Sequence, residues 1–101
     1  MIRYKQNYIY FLFFFRYERF NNLKIENPSL KTSLAVGGWN FGSKAFSDMA
    51  LLKSTRSEFV NSTIKFLRTR NFDGLDIDWE YPGRRGGPPQ DKVNLALLMK
   101  V

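Results

Sequence analysis

The chain has 101 residues, 44% hydrophobic and 25% charged, which bounds it to a single modest globular core. It has no Cys and no His. Disulfides, thiolate or imidazole metal sites, a histidine base and a Ser-His triad are therefore excluded within it, and acid–base chemistry near neutral pH must rest on carboxylates. The formal net charge is +7, yet the 16 basic residues are scattered, with no run longer than two and no nucleic-acid motif beside them. They read as solvated helix faces and the basic share of a longer chain, so neither a nucleic acid nor a membrane is expected as partner.

Residues 1–16 stand apart. Arg3 and Lys5 precede the apolar run from Ile9 to Phe15, which fits a short signal-peptide core or a strand covered on both faces. The run is aromatic rather than rich in Leu and Ala, no small-residue cleavage site follows, and it is too short to span a bilayer. Residues 18–27 carry a helical pattern, with Phe20 and Leu23 on one side and Pro28 as the stop. Residues 30–36 read as a strand ending at Gly37-Gly38, residues 40–44 as a loop, and residues 46–52 as a short helical turn.

The clearest helix covers residues 55–70. Thr55 and Glu58 have capping-box spacing, Phe59, Thr63, Phe66 and Leu67 form an apolar stripe, and Arg68 and Arg70 suit the negative end of the helix dipole. Asn71 is placed for a left-handed cap. A strand over 74–80, a turn-rich stretch over 82–89 and a helix over 91–101, with Val93, Leu97 and Leu98 as its apolar side, complete the chain. Strands alternating with helices predict parallel βαβ units in one domain. Asn61-Ser62-Thr63 matches the glycosylation sequon but falls inside the predicted helix.

The chemistry concentrates in Asp73-Gly74-Leu75-Asp76-Ile77-Asp78-Trp79-Glu80-Tyr81-Pro82. Side chains alternate along a strand, so Asp76, Asp78 and Glu80 share one face and Leu75, Ile77 and Trp79 the other, with carboxylates roughly 6–7 Å apart. Like charges at that range raise one another's pKa, so at least one carboxyl is expected to hold its proton near neutrality. A protonated acid beside an ionised one is what glycosidic cleavage requires. Glu80, last in the row, stands where parallel α/β folds place their sites. Acidic alternation also fits a solvated edge strand, and carboxylates also bind Mg²⁺ or Ca²⁺. The large apolar partners of the strand favour a buried element.

This run resembles the DxxDxDxE signature of glycoside hydrolase family 18 in its animal chitinase form, with the Gly, Trp and Tyr-Pro that accompany it there. Leu34-Ala35-Val36-Gly37-Gly38-Trp39-Asn40-Phe41-Gly42 resembles the family's third strand and following loop, with Ala35 where many members carry Ser. The resemblance covers residues 17–101, taken as a partial catalytic domain. Tyr8 to Phe13 faintly resembles the second strand.

The resemblance implies a fragment of a (β/α)₈ TIM barrel, about strands two to four with their helices. It implies retaining, substrate-assisted hydrolysis of chitin or chito-oligosaccharides, without a metal or cofactor, in an extracellular setting. Glu80 would be the proton donor, Asp78 would orient the substrate's acetamido group, and Asp76 would tune Asp78. Gly37 and Gly38 would let a sugar approach the backbone, Trp39 would stack on a pyranose, and Asn40 and Tyr81 would bond it. Trp79 is expected in the core, and Asp73 in a structural role at the start of the strand.

A chitin-binding relative without activity, or an inert fragment, is the alternative reading. Such relatives often lose the final Glu, which is present here. A barrel needs ~250 residues, so the 101-residue chain alone is expected neither to fold stably nor to hydrolyse chitin. Leu34, Val36 and the carboxylate row are expected on the inward faces left without their opposing layers.

Overall fold

Two short strands, β1 (Ser33–Gly37) and β2 (Gly74–Asp78), run parallel with Ser33 opposite Gly74 and Gly37 opposite Asp78. This computed structural model describes residues 16–101, and the run from Ile9 to Phe15 lies outside the described residues. Residues 16–21 are helical and pass Asn22 into α1 (Leu23–Glu26). After β1 come a 3₁₀ turn (Trp39–Phe41), α2 (Lys44–Leu51) and α3 (Lys53–Thr69); after β2 comes α4 (Asp91–Leu98). The crossover between parallel strands is thus helical, as the alternation predicts.

The register decides which side chains share a face. Leu34 lies opposite Leu75 and Val36 opposite Ile77, while Ala35 lies opposite Asp76. All four apolar residues are partly covered on the helix side, and Asp76 and Asp78 are exposed on the other. This corrects the expectation that Leu34 and Val36 share the inward face of the carboxylates. With a side-chain period of two, pairing in direct register puts them opposite. Behind the strands, Phe46, Ala50 and Trp79 form the buried core, with Val36, Met49, Ile77 and Leu95 packed around it. The Phe46 and Trp79 rings stack with centroids 5.3 Å apart.

Three helix details depart from the sequence pattern. The segment expected as a short helical turn is the two-turn helix α2. The capping box expected at Thr55 is displaced, because α3 begins after Leu52. Thr55 sits inside the first turn, and its hydroxyl accepts the Leu52 N–H at 3.3 Å and donates to the Leu52 carbonyl at 3.0 Å. Arg56 Nη1 donates to the Ala50 carbonyl at 2.6 Å, so the end of α2 and the start of α3 are joined through one guanidinium. In α4 the buried positions are Asp91, Asn94 and Leu98, while Val93 and Leu97 face outward. Asp91 is tolerated inside through its Oδ2, which accepts the Ser47 hydroxyl at 2.8 Å and the Gly83 N–H at 3.1 Å.

The N-terminal helix docks in the same way. Phe20 and Leu23 stay about half exposed, and the residue buried is Asn21, 2% exposed. Its Nδ2 donates to the Arg70 carbonyl at 2.7 Å, and its Oδ1 accepts the Thr32 hydroxyl at 2.6 Å. One amide therefore joins this helix, the entry to β1 and the end of α3. Tyr17 and Phe20 close over the buried Phe72, with ring centroids at 5.5 and 6.3 Å. Asn71 adopts the expected left-handed conformation, φ 63°.

Asp73 ties the two strand entrances together. Its Oδ2 accepts the Thr32 N–H at 2.7 Å and pairs with Lys24 Nζ at 2.7 Å, and its own N–H donates to the Thr32 carbonyl at 2.9 Å. The Lys24 hydrogen bond first, then the Thr32 N–H, hold its carboxyl below the usual carboxylate range. A depressed folded-state pKa contributes stability above the unfolded value, and that contribution disappears as pH falls through the folded one. Asp73→Asn is therefore expected to lower stability at pH 6. The difference from wild type should persist down to about pH 4 and shrink below it as the folded-state carboxyl takes up its proton, as read by urea unfolding at a series of pH values.

Candidate active site

The site forms where both strands end. Gly37 and Gly38, at the end of β1, have φ 109° and 98°, values that side-chain-bearing residues rarely adopt. A Cβ on Gly37 would run into the Asp78 carbonyl and lie 2.8 Å from the Phe46 ring. Its lack of a side chain thus serves contact between the strands and α2. Gly37 and Gly38 together are the expected points of approach for a sugar. Gly38 fits that reading better, since a Cβ there would lie 3.7 Å from Asp78 Oδ2, on the carboxylate side. The Gly38 N–H donates to the Asp78 carbonyl at 2.8 Å and locks the strand ends together.

Beyond Gly38 the 3₁₀ turn presents Trp39, 55% exposed, and the exposed Asn40. Tyr81, 47% exposed, meets the Trp39 ring edge-on with centroids 6.5 Å apart. The two rings make an open aromatic corner beside the carboxylates. β2 itself stops at Asp78, so Glu80 lies two residues past the strand rather than within it. The interruption is Trp79, which turns into the core and stacks on Phe46.

Glu80 is half-buried, and its carboxyl lies within interaction range of that of Asp78. Its pKa is pushed up, chiefly by desolvation, then by the Asp78 hydrogen bond and by the Asp78 charge; Arg85 opposes the shift. Partial burial and a neighbouring carboxyl thus both favour the protonated form of Glu80. Asp76 is exposed one pleat back on the same face. Among the described residues, no group of three or more carboxylates is gathered closely enough to hold a metal ion.

Arg85 was not legible in the sequence. Its guanidinium lies 3.5 Å from the centre of the Trp39 ring, and its Nη1 donates to the Trp39 carbonyl at 2.6 Å and the Glu80 carbonyl at 3.5 Å. It reaches there from a left-handed backbone conformation, φ 53°. In sequence it is one half of an Arg-Arg pair in a turn-rich stretch, and only the fold brings it over Trp39. The loop that carries it is held from below: Ser43 Oγ lies 3.0 Å from the Tyr81 carbonyl and 2.9 Å from that of Arg84. Asp91 Oδ2 accepts the Gly83 N–H at 3.1 Å and the Ser47 hydroxyl at 2.8 Å.

A parallel α/β frame with paired carboxylates and exposed aromatics at its strand ends defines a class of sugar-cleaving barrel enzymes. Comparison with known proteins shows which family the chain belongs to. The sequence profile of glycosyl hydrolases family 18 matches residues 2–101, and the chain belongs to that family. It is 54% identical to mouse chitotriosidase-1 over 84 residues, covering 83% of this chain and 18% of the relative. Against the probable chitinase 2 of Drosophila melanogaster it is 49% identical, covering 83% of this chain and 17% of the relative.

Among solved structures, the group IV chitinase of Ostrinia furnacalis in complex with allosamidin superposes with a TM-score of 0.80 at 42% identity, over 83% of this chain and 23% of that one. Human YKL-39, described as a pseudo-chitinase with retained chitooligosaccharide binding, matches with a TM-score of 0.72 at 42% identity, over 85% and 22%. The chain thus carries part of a (β/α)₈ barrel and spans less than a quarter of the length of these relatives.

Removing the cation that opposes the Glu80 shift should raise that carboxyl further. Arg85→Gln is expected to move the Glu80 titration midpoint upward in NMR of side-chain-labelled protein, whereas Arg85→Lys should leave it close to wild type.

Proposed function

We propose that this chain supplies the acid–base half of a chitinase site, cleaving β-1,4-linked N-acetylglucosamine polymers with retention. The observation that carries this reading is the Asp78–Glu80 carboxyl pair, with the Glu80 pKa raised beside an open aromatic corner. Glu80 donates its proton to the glycosidic oxygen as the bond to the anomeric carbon breaks. The acetamido oxygen of the same sugar forms the new bond to that carbon, so no enzyme nucleophile is needed. Asp78 orients the acetamido group and offsets the charge that develops on it, and Asp76 supports Asp78. Water then attacks from the vacated face and returns its proton to Glu80, so the β configuration is kept.

Gly38 leaves room for the sugar beside Asp78, the exposed Trp39 stacks on a ring, and Asn40 and Tyr81 hydrogen-bond to it. The family, the mouse and fly relatives, and the allosamidin complex of the Ostrinia enzyme all support this substrate class. An extracellular setting belongs to the same reading, in keeping with the oviduct-specific glycoproteins among the relatives. Among the described residues no helix is long and apolar enough to cross a membrane.

The test places residues 16–101 in the matching segment of mouse chitotriosidase-1. A positioned general acid contributes roughly 10²–10⁴-fold. Glu80→Gln in this chimera should reduce turnover of a fluorogenic chito-oligosaccharide by that range, and a variant that keeps most of its rate rules the assignment out. In the parent chimera, early product followed by NMR should be the β anomer, and substrates lacking the N-acetyl group should not be cleaved. An inverted first product, or turnover without the N-acetyl group, would remove Asp78 from its proposed role. Oligosaccharide binding without any turnover would favour the non-catalytic relative instead.

A further inference from the structure

The segment carrying Glu80 leaves the sheet at Asp78 and continues through two tight turns. One is closed by the Arg84 N–H on the Tyr81 carbonyl at 3.0 Å, the other by the Gly87 N–H on the Arg84 carbonyl at 3.1 Å. Among the described residues no strand pairs with it beyond Asp78, so the position of this segment depends on what holds its backbone groups. Both turn-closing carbonyls also face one side chain, that of Ser43, at the start of α2. Ser43 is 1% exposed, and its Oγ lies 3.0 Å from the Tyr81 carbonyl and 2.9 Å from that of Arg84. The same oxygen accepts the Trp79 indole N–H at 3.1 Å.

A serine hydroxyl has one proton and two lone pairs. Here the proton is shared between two carbonyls and a lone pair takes the indole. Trp79 and Tyr81 are the residues immediately before and after Glu80. A single hydroxyl therefore grips both neighbours of the acid, one through its side chain and the other through its backbone. The third partner, Arg84, adjoins Arg85, whose guanidinium lies against Trp39. Water has little access to replace these bonds, since Ser43 and Trp79 are both buried.

We propose that Ser43 is a positioning residue for the acid: its buried hydroxyl sets where the Glu80 carboxyl and the Arg85 guanidinium stand relative to the bound sugar. This rests on the role given to Glu80 above. Ser43 touches neither substrate nor carboxylate, so its effect falls on the geometry of proton delivery more than on sugar binding. Losing the hydroxyl frees the Tyr81 and Arg84 carbonyls and the Trp79 N–H together, and Glu80 gains freedom to turn toward water. A carboxyl released to water returns toward its ordinary pKa, so the proton it must donate is lost at lower pH.

The experiment uses the same chimera with Ser43→Ala and Ser43→Thr, assayed well below their melting temperatures with the folded fraction measured by near-ultraviolet circular dichroism. Misplacing a catalytic group by about 1 Å costs on the order of 10²-fold. Ser43→Ala should therefore lower kcat by about ten- to a hundredfold with KM within about threefold, and move the basic limb of the kcat–pH profile to lower pH. Ser43→Thr, which keeps the hydroxyl, should restore both. Unchanged kcat in a folded Ser43→Ala protein, or a loss that only follows the folded fraction, overturns the proposal.

Should Ser43→Ala not fold, Ser43→Cys preserves the volume with a weak donor and is held to the same split between kcat and KM. An inactive parent chimera would count against the enzyme reading, not against Ser43. The NMR titration midpoint of Glu80 then decides: a fall on substitution supports the positioning role, and an unchanged midpoint refutes it.

Discussion

The contact between Gly37 and Asp78 sets the geometry on which the rest of this structure depends. At that point β1 approaches β2 and α2 so closely that a single added carbon would collide with the Asp78 carbonyl and the Phe46 ring. Because nothing intervenes, the Gly38 N–H reaches the Asp78 carbonyl and the two strands end level. The Asp78 side chain is thereby turned to the open face, beside Gly38 and the Trp39 turn. A Cβ at Gly37 would push the strand ends apart, with the Asp78–Glu80 pair on one of them and the aromatic turn on the other. Backbone sterics come first here, and the electrostatics of the site follow from them.

Given that geometry, the behaviour of Glu80 is a balance of opposing influences. Partial burial and the neighbouring Asp78 disfavour its charged form, while Arg85 favours it. Arg85 is itself held by the face of Trp39 and by two backbone carbonyls. The cation that moderates the acid is thus fixed to the ring proposed to stack on the sugar. Proton affinity and substrate platform are coupled through one side chain, and rearrangement of the 3₁₀ turn would be felt at Glu80.

The opposite end of the sheet is held by polar groups. Asn21, Thr32, Asp73 and Lys24 bind the N-terminal helix, both strand entrances and the end of α3 into one network. Each buried member has a partner, so burial costs little and the directional bonds specify one arrangement. Asp73, first in the acidic signature, belongs to this network and lies remote in function from the acids that follow it. Its role at the strand entrance agrees with the different parity of its position.

Much was legible in the residues alone. The alternation of Asp76, Asp78 and Glu80 with Leu75, Ile77 and Trp79 announced a strand with one acidic face, because side-chain direction along a strand depends only on parity. The absence of His and Cys restricted the chemistry to carboxylates, and the left-handed turn at Asn71 followed from local backbone preference. What the residues could not disclose were relations between distant segments. Leu34 and Val36 fell on the helix side because of an inter-strand register that no single strand encodes. The helix at residues 16–26 buried Asn21 rather than Phe20 or Leu23, because Thr32 and Arg70 supplied the partners an amide needs. Ser43 and Arg85, two inconspicuous residues in chain order, came to the segment around the acid only when α2 and the loop after β2 were packed together. Periodicity and backbone propensity are short-range and can be read along a chain, whereas hydrogen-bond partners and close approach belong to the folded arrangement.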